Sequence, residues 1–168
     1  MRLFIAIQFD NSILDELERY QAELRQQSVT GNYTSRENLH ITLAFIGEFG
    51  DPDAVIEAME QADFKPFEIS LGKVGSFEDL LWMGVEENPQ LEAFVKRLRR
   101  ALADAGISFD RKRFSPHITL IRRYANRGGK SIPVTCLPKG TMKVTHISLM
   151  RSERGKRGMI YTEIGGVE

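Results

Sequence analysis

The sequence predicts an α+β protein: a single domain over residues 1–168, built from two pseudo-symmetric half-domains whose antiparallel-rich sheets are flanked by helices and share a central cleft. Three observations carry this reading. The tetrapeptide His40-Ile41-Thr42-Leu43 returns 77 positions later as His117-Ile118-Thr119-Leu120. Each copy lies in an apolar run of strand character and follows a strand and a helix, so that strand–helix–strand occurs twice. The length suits one compact domain or two small lobes, and 42% hydrophobic with 27% charged residues is an ordinary globular composition.

Taken in order, Arg2 to Gln8 reads as an opening strand buried on both faces. Asp10 or Asn11 offers an N-cap, and Ile13, Leu14, Leu17, Tyr20 and Leu24 recur at helical spacing to about Gln27. Residues 28–38 are polar, contain Gly31 and Asn32, and read as a loop into the first His-x-Thr strand, Leu39 to Ile46. Gly47 to Pro52 is a break, after which Val55, Ile56 and Met59 mark a short helix beginning near Asp51. Phe67 to Leu71 and Leu80 to Val85 form a hairpin, with its turn at Gly75 to Asp79. Pro89 opens a helix carried by Leu91, Phe94, Val95, Leu98, Ala101 and Leu102, and Gly106 stops it. A basic loop, Ser108 to Pro116, leads to the second His-x-Thr strand. Arg122 to Ile132, with Gly128-Gly129 at its centre, reads as a flexible polar stretch. Strands at Met142 to Met150 and Met159 to Ile164 close the chain, separated by a basic turn at Ser152 to Arg157.

The net charge of zero hides an asymmetry. Residues 1–105 hold 10 basic and 19 acidic side chains, against 13 and 4 in residues 106–168. A basic third beside a histidine cleft suits a phosphate-bearing partner. The single Cys136 excludes an intramolecular disulfide and a cysteine-based zinc site. No run approaches a membrane span, and the apolar opening is too short for a signal sequence, so the expectation is a soluble, cytoplasmic monomer without membrane contact.

On a strand, residues i and i+2 share a face. His40 and Thr42 therefore project together, away from Ile41 and Leu43, and His117 and Thr119 do the same in the second copy. Histidine titrates near neutrality, so one imidazole can take a proton from an attacking oxygen while the other gives one to a leaving oxygen. The threonine hydroxyls can hold non-bridging phosphoryl oxygens between them. That set serves in-line displacement at a phosphodiester and needs neither metal nor cofactor. His146 lacks a threonine two residues on and reads as a rim residue. Trp82 and Tyr161 read as core or lobe-packing residues, whereas Tyr124 borders a cleft element and is a candidate to stack on a base. Phosphate-loop, dinucleotide, zincin and nucleophile-elbow motifs are all absent from the sequence.

The paired tetrapeptides resemble the 2H phosphoesterase superfamily, and in detail its RNA 2′,3′-cyclic phosphodiesterases, also called 2′-5′ RNA ligases. Arg2 to Ile7, Asn38 to Gly47, Leu81 to Val85, Phe114 to Leu120 and Ile147 to Ser152 are similar to segments of that family in the same order. The resemblance implies the bilobal 2H fold and metal-independent hydrolysis of RNA 2′,3′-cyclic phosphate ends to a 2′-phosphate, with reversible ATP-independent 2′-5′ ligation in some members. By the same resemblance His40, Thr42, His117 and Thr119 are the catalytic set; we assign His117 as base and His40 as acid, and the pseudo-symmetry of the repeat leaves the reverse assignment open at the level of sequence. Arg122 is the phosphate contact and Arg123 the fallback. One departure is Ser115, where many relatives carry a histidine. Two alternatives stay open at this point: a phosphodiesterase acting on a small cyclic nucleotide or an ADP-ribose cyclic phosphate, and a non-catalytic RNA-binding module.

Overall fold

The computed structural model describes residues 1–125 and 136–168. Its strands are β1 (Arg2–Ile7), β2 (Thr30–Tyr33), β3 (Ile41–Glu48), β4 (Phe67–Phe77), β5 (Leu80–Val85), β6 (His117–Ala125), β7 (Thr141–Val144), β8 (Ile147–Gly155) and β9 (Gly158–Val167). Its helices are α1 (Asn11–Gln26), α2 (Pro52–Gln61) and α3 (Pro89–Asp104), with a 3-10 turn at Arg36–Asn38. Each helix starts on a side-chain cap: Asp10 accepts from the Ile13 amide, Asp51 from Ala54 and Asn88 from Leu91. Such caps contribute about 1 kcal/mol each. Pro52 and Pro89 occupy first-turn positions where no amide partner is lost.

One sheet runs in the order β7-β4-β5-β6-β3-β1-β8-β9, with β2 added to β6. Outward from its centre the order repeats itself. β3 is flanked by β1, then β8 and β9; β6 is flanked by β5, then β4 and β7. Thus β1-α1-β3 and β5-α3-β6 are equivalent units, and the duplication is present in the topology. The two half-domains are halves of one continuous sheet, so the His-x-Thr strands are neighbours rather than walls facing across a gap. They pair at Ile41 and Ile118 and then part.

Where the two strands part, each is held by the helix of the opposite half. Gln21 of α1, almost fully buried, donates to the carbonyls of Leu120 (3.0 Å) and Thr34 (2.9 Å). Arg99 of α3 donates to the carbonyls of Leu43 (3.2 Å) and Lys112 (2.7 Å). Leu43 and Leu120 are the fourth residues of the two tetrapeptides. Carbonyls released by the divergence of β3 and β6 are therefore satisfied by side chains crossing between halves. The Thr34 and Asp110 amides complete the pattern on the Leu120 and Phe45 carbonyls.

The main core lies between the sheet and the helices. It takes Leu3, Ile5 and Ile7 from β1, Ile41 and Leu43 from β3, Ile118 and Leu120 from β6, and Ile147 and Leu149 from β8, against Ile13, Leu17, Phe94 and Leu98. On the other face of the sheet a small cluster forms from Phe4, Ala6 and Met150, with Phe45 and Tyr161 packed on it.

Several elements differ from the sequence expectation. Residues 30–33, expected as loop, form β2, because β6 offers a free edge once β3 leaves it. β4 runs on to Phe77, with Gly75 and Ser76 paired to Trp82 and Leu81. The run from 142 to 150 is two strands: β7 pairs with β4 at one end of the sheet, and β8 pairs with β1 in the other half. The expected turn at 152–157 is ribbon, with Gly155 facing Gly158 and only Lys156 and Arg157 at the tip. The polar stretch from 122 begins as the end of β6, and the remainder expected as flexible, including Gly128-Gly129, lies outside the described residues.

Candidate active site

The Ile41–Ile118 pair fixes the site. Both side chains are fully buried on the helix side. Counting outward along antiparallel strands sets His40 opposite Thr119 and Thr42 opposite His117, all four on the other face. Two identical pairs are thus related by a pseudo-two-fold axis through the Ile41–Ile118 contact.

Both imidazoles are oriented in the same way. His40 Nδ1 lies 2.7 Å from the carbonyl oxygen of Asn38, and His117 Nδ1 lies 2.8 Å from that of Ser115, each two residues upstream. A carbonyl only accepts, so Nδ1 carries the hydrogen in both rings and Nε2 is left with the lone pair. His40 Nε2 is 2.9 Å from Thr42 Oγ1, which donates to it when the ring is neutral. Because the partner at position 115 is a backbone carbonyl, serine there holds His117 as any residue would.

The two histidines sit in different surroundings. His117 is exposed. His40 packs against Phe4, with ring centroids 5.0 Å apart, and meets Tyr161 edge-on at 5.3 Å. Burial lowers the His40 pKa below its ordinary value, opposed by the hydrogen bond to Asn38 and reinforced by the nearby charge of Arg122 and by His117. In the free protein His40 is held toward its neutral form.

Two cavities meet at His40 and Arg122. One, of about 790 Å³, is bordered by Thr119, Arg25, Arg157, Met159 and Tyr161. The other, of about 620 Å³, is bordered by Thr42, Phe4, Phe45, Arg2, Arg154 and Tyr161. Five arginines therefore border the two cavities that meet at His40, and His117 lies outside both linings. Arg2 is braced over the Phe45 ring (5.1 Å) and Arg25 over Tyr33 (4.2 Å), which limits how far their guanidinium groups swing.

The structure brings His40, Thr42, His117, Thr119 and Arg122 together and separates Arg123 and Tyr124 from them. Arg123 has a left-handed φ of 51° and sits in a β-bulge opposite β2, bordering neither cavity. β6 carries two such shifts: the extra residue at Leu120 turns Arg122 onto the site face, and the bulge at Arg123 restores the original alternation, so Tyr124 points inward and is 7% exposed in the main core. It has no face to offer a base. Tyr161, expected as packing, borders both cavities. Arg2 and Arg25 come from the acidic part of the chain, where a charge count hides them. Arg111, Lys112 and Arg113 border neither cavity. The third histidine, His146, is paired with Glu163 and also lies outside both. Among the described residues no three His, Cys, Asp or Glu side chains gather where they could hold a metal ion, and no helix is long and apolar enough to cross a membrane.

Curated relatives include the RNA 2′,3′-cyclic phosphodiesterases of Methanothermobacter thermautotrophicus (27% identical, covering 98% of this chain and 96% of the relative), Archaeoglobus fulgidus (29%, 98% and 98%) and Escherichia coli (28%, 97% and 93%). Among solved structures, Escherichia coli LigT in apo form superposes with a TM-score of 0.79 at 27% identity over 99% of this chain and 95% of that one. LigT complexed with 3′-AMP gives 0.77 at 27% identity, over 99% and 95%. The family model described as the 2′-5′ RNA ligase superfamily matches residues 9–156, and with nearly the whole chain so matched this protein belongs to that superfamily.

Proposed function

We propose that the protein hydrolyses RNA 2′,3′-cyclic phosphate ends to a 2′-phosphate, without a metal, through paired-histidine acid–base catalysis. The observation that carries this reading is the pseudo-two-fold placement of two identical His/Thr pairs about the Ile41–Ile118 contact, with Arg122 beside His40 and both threonines. The curated relatives named RNA 2′,3′-cyclic phosphodiesterase support the substrate class.

Phosphorus sits over the axis, with Arg122 and the two threonine hydroxyls on its non-bridging oxygens. His117 Nε2, exposed to water, takes a proton from the attacking water as its oxygen bonds to phosphorus. The bond from phosphorus to the 3′-oxygen breaks, and that oxygen takes a proton from His40 Nε2. Burial makes the His40 imidazolium a stronger acid, and the negative charge of the bound phosphodiester supplies the proton affinity that the free site lacks. A 5′-hydroxyl in place of water gives a 2′-5′ phosphodiester by the same exchange, with no requirement for ATP because the cyclic ester is already activated.

The test is incubation of a short RNA ending in a 2′,3′-cyclic phosphate with the protein in EDTA, followed by mass and phosphatase analysis of the end. A 2′-phosphate is expected. A 3′-phosphate would contradict the assigned leaving oxygen, and binding without turnover would leave a recognition module.

A further inference from the structure

Trp82 does not behave as a core residue. It is partly exposed, belongs to neither apolar cluster, and stands on β5 directly opposite Thr119 of β6, so its side chain shares the face of the catalytic pairs. Gly84, two residues on, stands opposite His117. The indole lies down on the sheet. A Cβ added at Gly75, the partner of Trp82 on β4, would meet Cζ2 at 2.3 Å, Cη2 at 2.6 Å and Cε2 at 2.9 Å. A Cβ added at Gly84 would meet Cζ3 on the other side of the six-membered ring, at 3.3 Å. Opposite edges of one ring rest over glycines of two strands, which a ring standing on its edge could not do. Neither glycine has a positive φ, so backbone conformation does not call for glycine at either position. What both provide is room for the ring.

The outward side of Trp82 borders a cavity of about 1130 Å³ that also touches Ser115 and Pro116, the residues leading into His117. We infer that Trp82 is a nucleobase platform, stacking the base of a nucleoside joined to the phosphate held between the histidines. An aromatic plane laid flat one strand away from Thr119, roughly 5 Å, is at a distance a ribose can span. Bases of any identity stack on such a plane, and purines cover more of it than pyrimidines. The arginines bordering the cavities on the His40 side suit the phosphates of the remaining RNA, while the described residues on the Trp82 side set Lys73 and Lys139 among Glu86, Glu87 and Glu92. This inference deepens the proposed function and rests on it.

Trp82 is the only tryptophan in the chain, so its fluorescence reports the platform directly. Titration with 2′-AMP should quench it to saturation, and inorganic phosphate, binding the same histidines, should leave it nearly unchanged. With RNA cyclic-phosphate substrates, Trp82→Leu should raise KM roughly tenfold and flatten the purine-over-pyrimidine preference, while Trp82→Phe restores part of both. Gly75→Ala, which displaces the ring and leaves the residue in place, should weaken the quench. Normal turnover with no quench, or with an unchanged KM and base preference in Trp82→Leu, would overturn the platform and leave the proposed reaction standing. Quenching by 2′-AMP without turnover would keep the platform and overturn the reaction. Neither quench nor turnover would overturn both.

Discussion

At the scale of single residues, the two imidazoles are alike in tautomer and unlike in surroundings. His117 is exposed, whereas His40 is packed by Phe4 and Tyr161 and held toward its neutral form by burial. The account gives water activation to the first and leaving-group protonation to the second, and the two duties separate experimentally. A phosphodiester whose leaving oxygen is already a good leaving group, such as a nitrophenolate, needs no acid. His40→Ala should therefore lose about 10²–10⁴-fold on an RNA cyclic phosphate and recover most of that loss on the nitrophenyl ester, while His117→Ala stays impaired on both. Recovery by His117→Ala instead would reverse the roles. The tetrapeptides themselves were legible in the sequence as a repeated His-x-Thr. The tautomers were not, because they depend on the carbonyls of Asn38 and Ser115, which any side chain would have presented.

At the scale of elements, the reading from sequence held for β1, β5 and the three helices, where periodicity and caps agree. It failed where an element exists only because of a distant partner. β2 has no apolar alternation and forms on the edge of β6 that β3 vacates. Gly75 and Ser76 carry turn-like chemistry yet lie in β4, where the absence of a side chain at 75 admits the Trp82 ring. The sequence places Tyr124 at the cleft for its nearness to the second His-x-Thr strand, whereas the strand's alternation, restored at Arg123 after a first shift at Leu120, sends it to the core. The crossed helix contacts carry a prediction of their own. Arg99 is the buttress that ties α3 to the carbonyls of Leu43 and Lys112. Hydrogen bonds from a charged donor contribute about 1.5–3 kcal/mol. Arg99→Ala should lower the free energy of unfolding in urea by about 2 kcal/mol, a change within about 0.3 kcal/mol of zero being the result that removes the buttress from the account.

At the scale of the whole molecule, the chain builds one site from two copies of a strand–helix–strand unit. Each unit supplies one histidine and one threonine, and each lends its helix to steady the other's strand. The sequence disclosed the repeat and a basic C-terminal third. It could not disclose that the cleft draws Arg2 and Arg25 from the acidic remainder, because charge counted along the chain is not charge counted around a cavity. On an RNA cyclic phosphate, whose leaving oxygen must be protonated, a site assembled in this way acts as a unit: with either imidazole gone, the other has little left to do. The most direct test compares His40→Ala, His117→Ala and the double variant with the native protein on an RNA 2′,3′-cyclic phosphate in EDTA at neutral pH, after circular dichroism has shown that all are folded. Each single variant should lose about 10²–10⁴-fold in kcat, and the double variant little beyond that. Turnover at the native rate by either single variant would contradict paired-histidine catalysis.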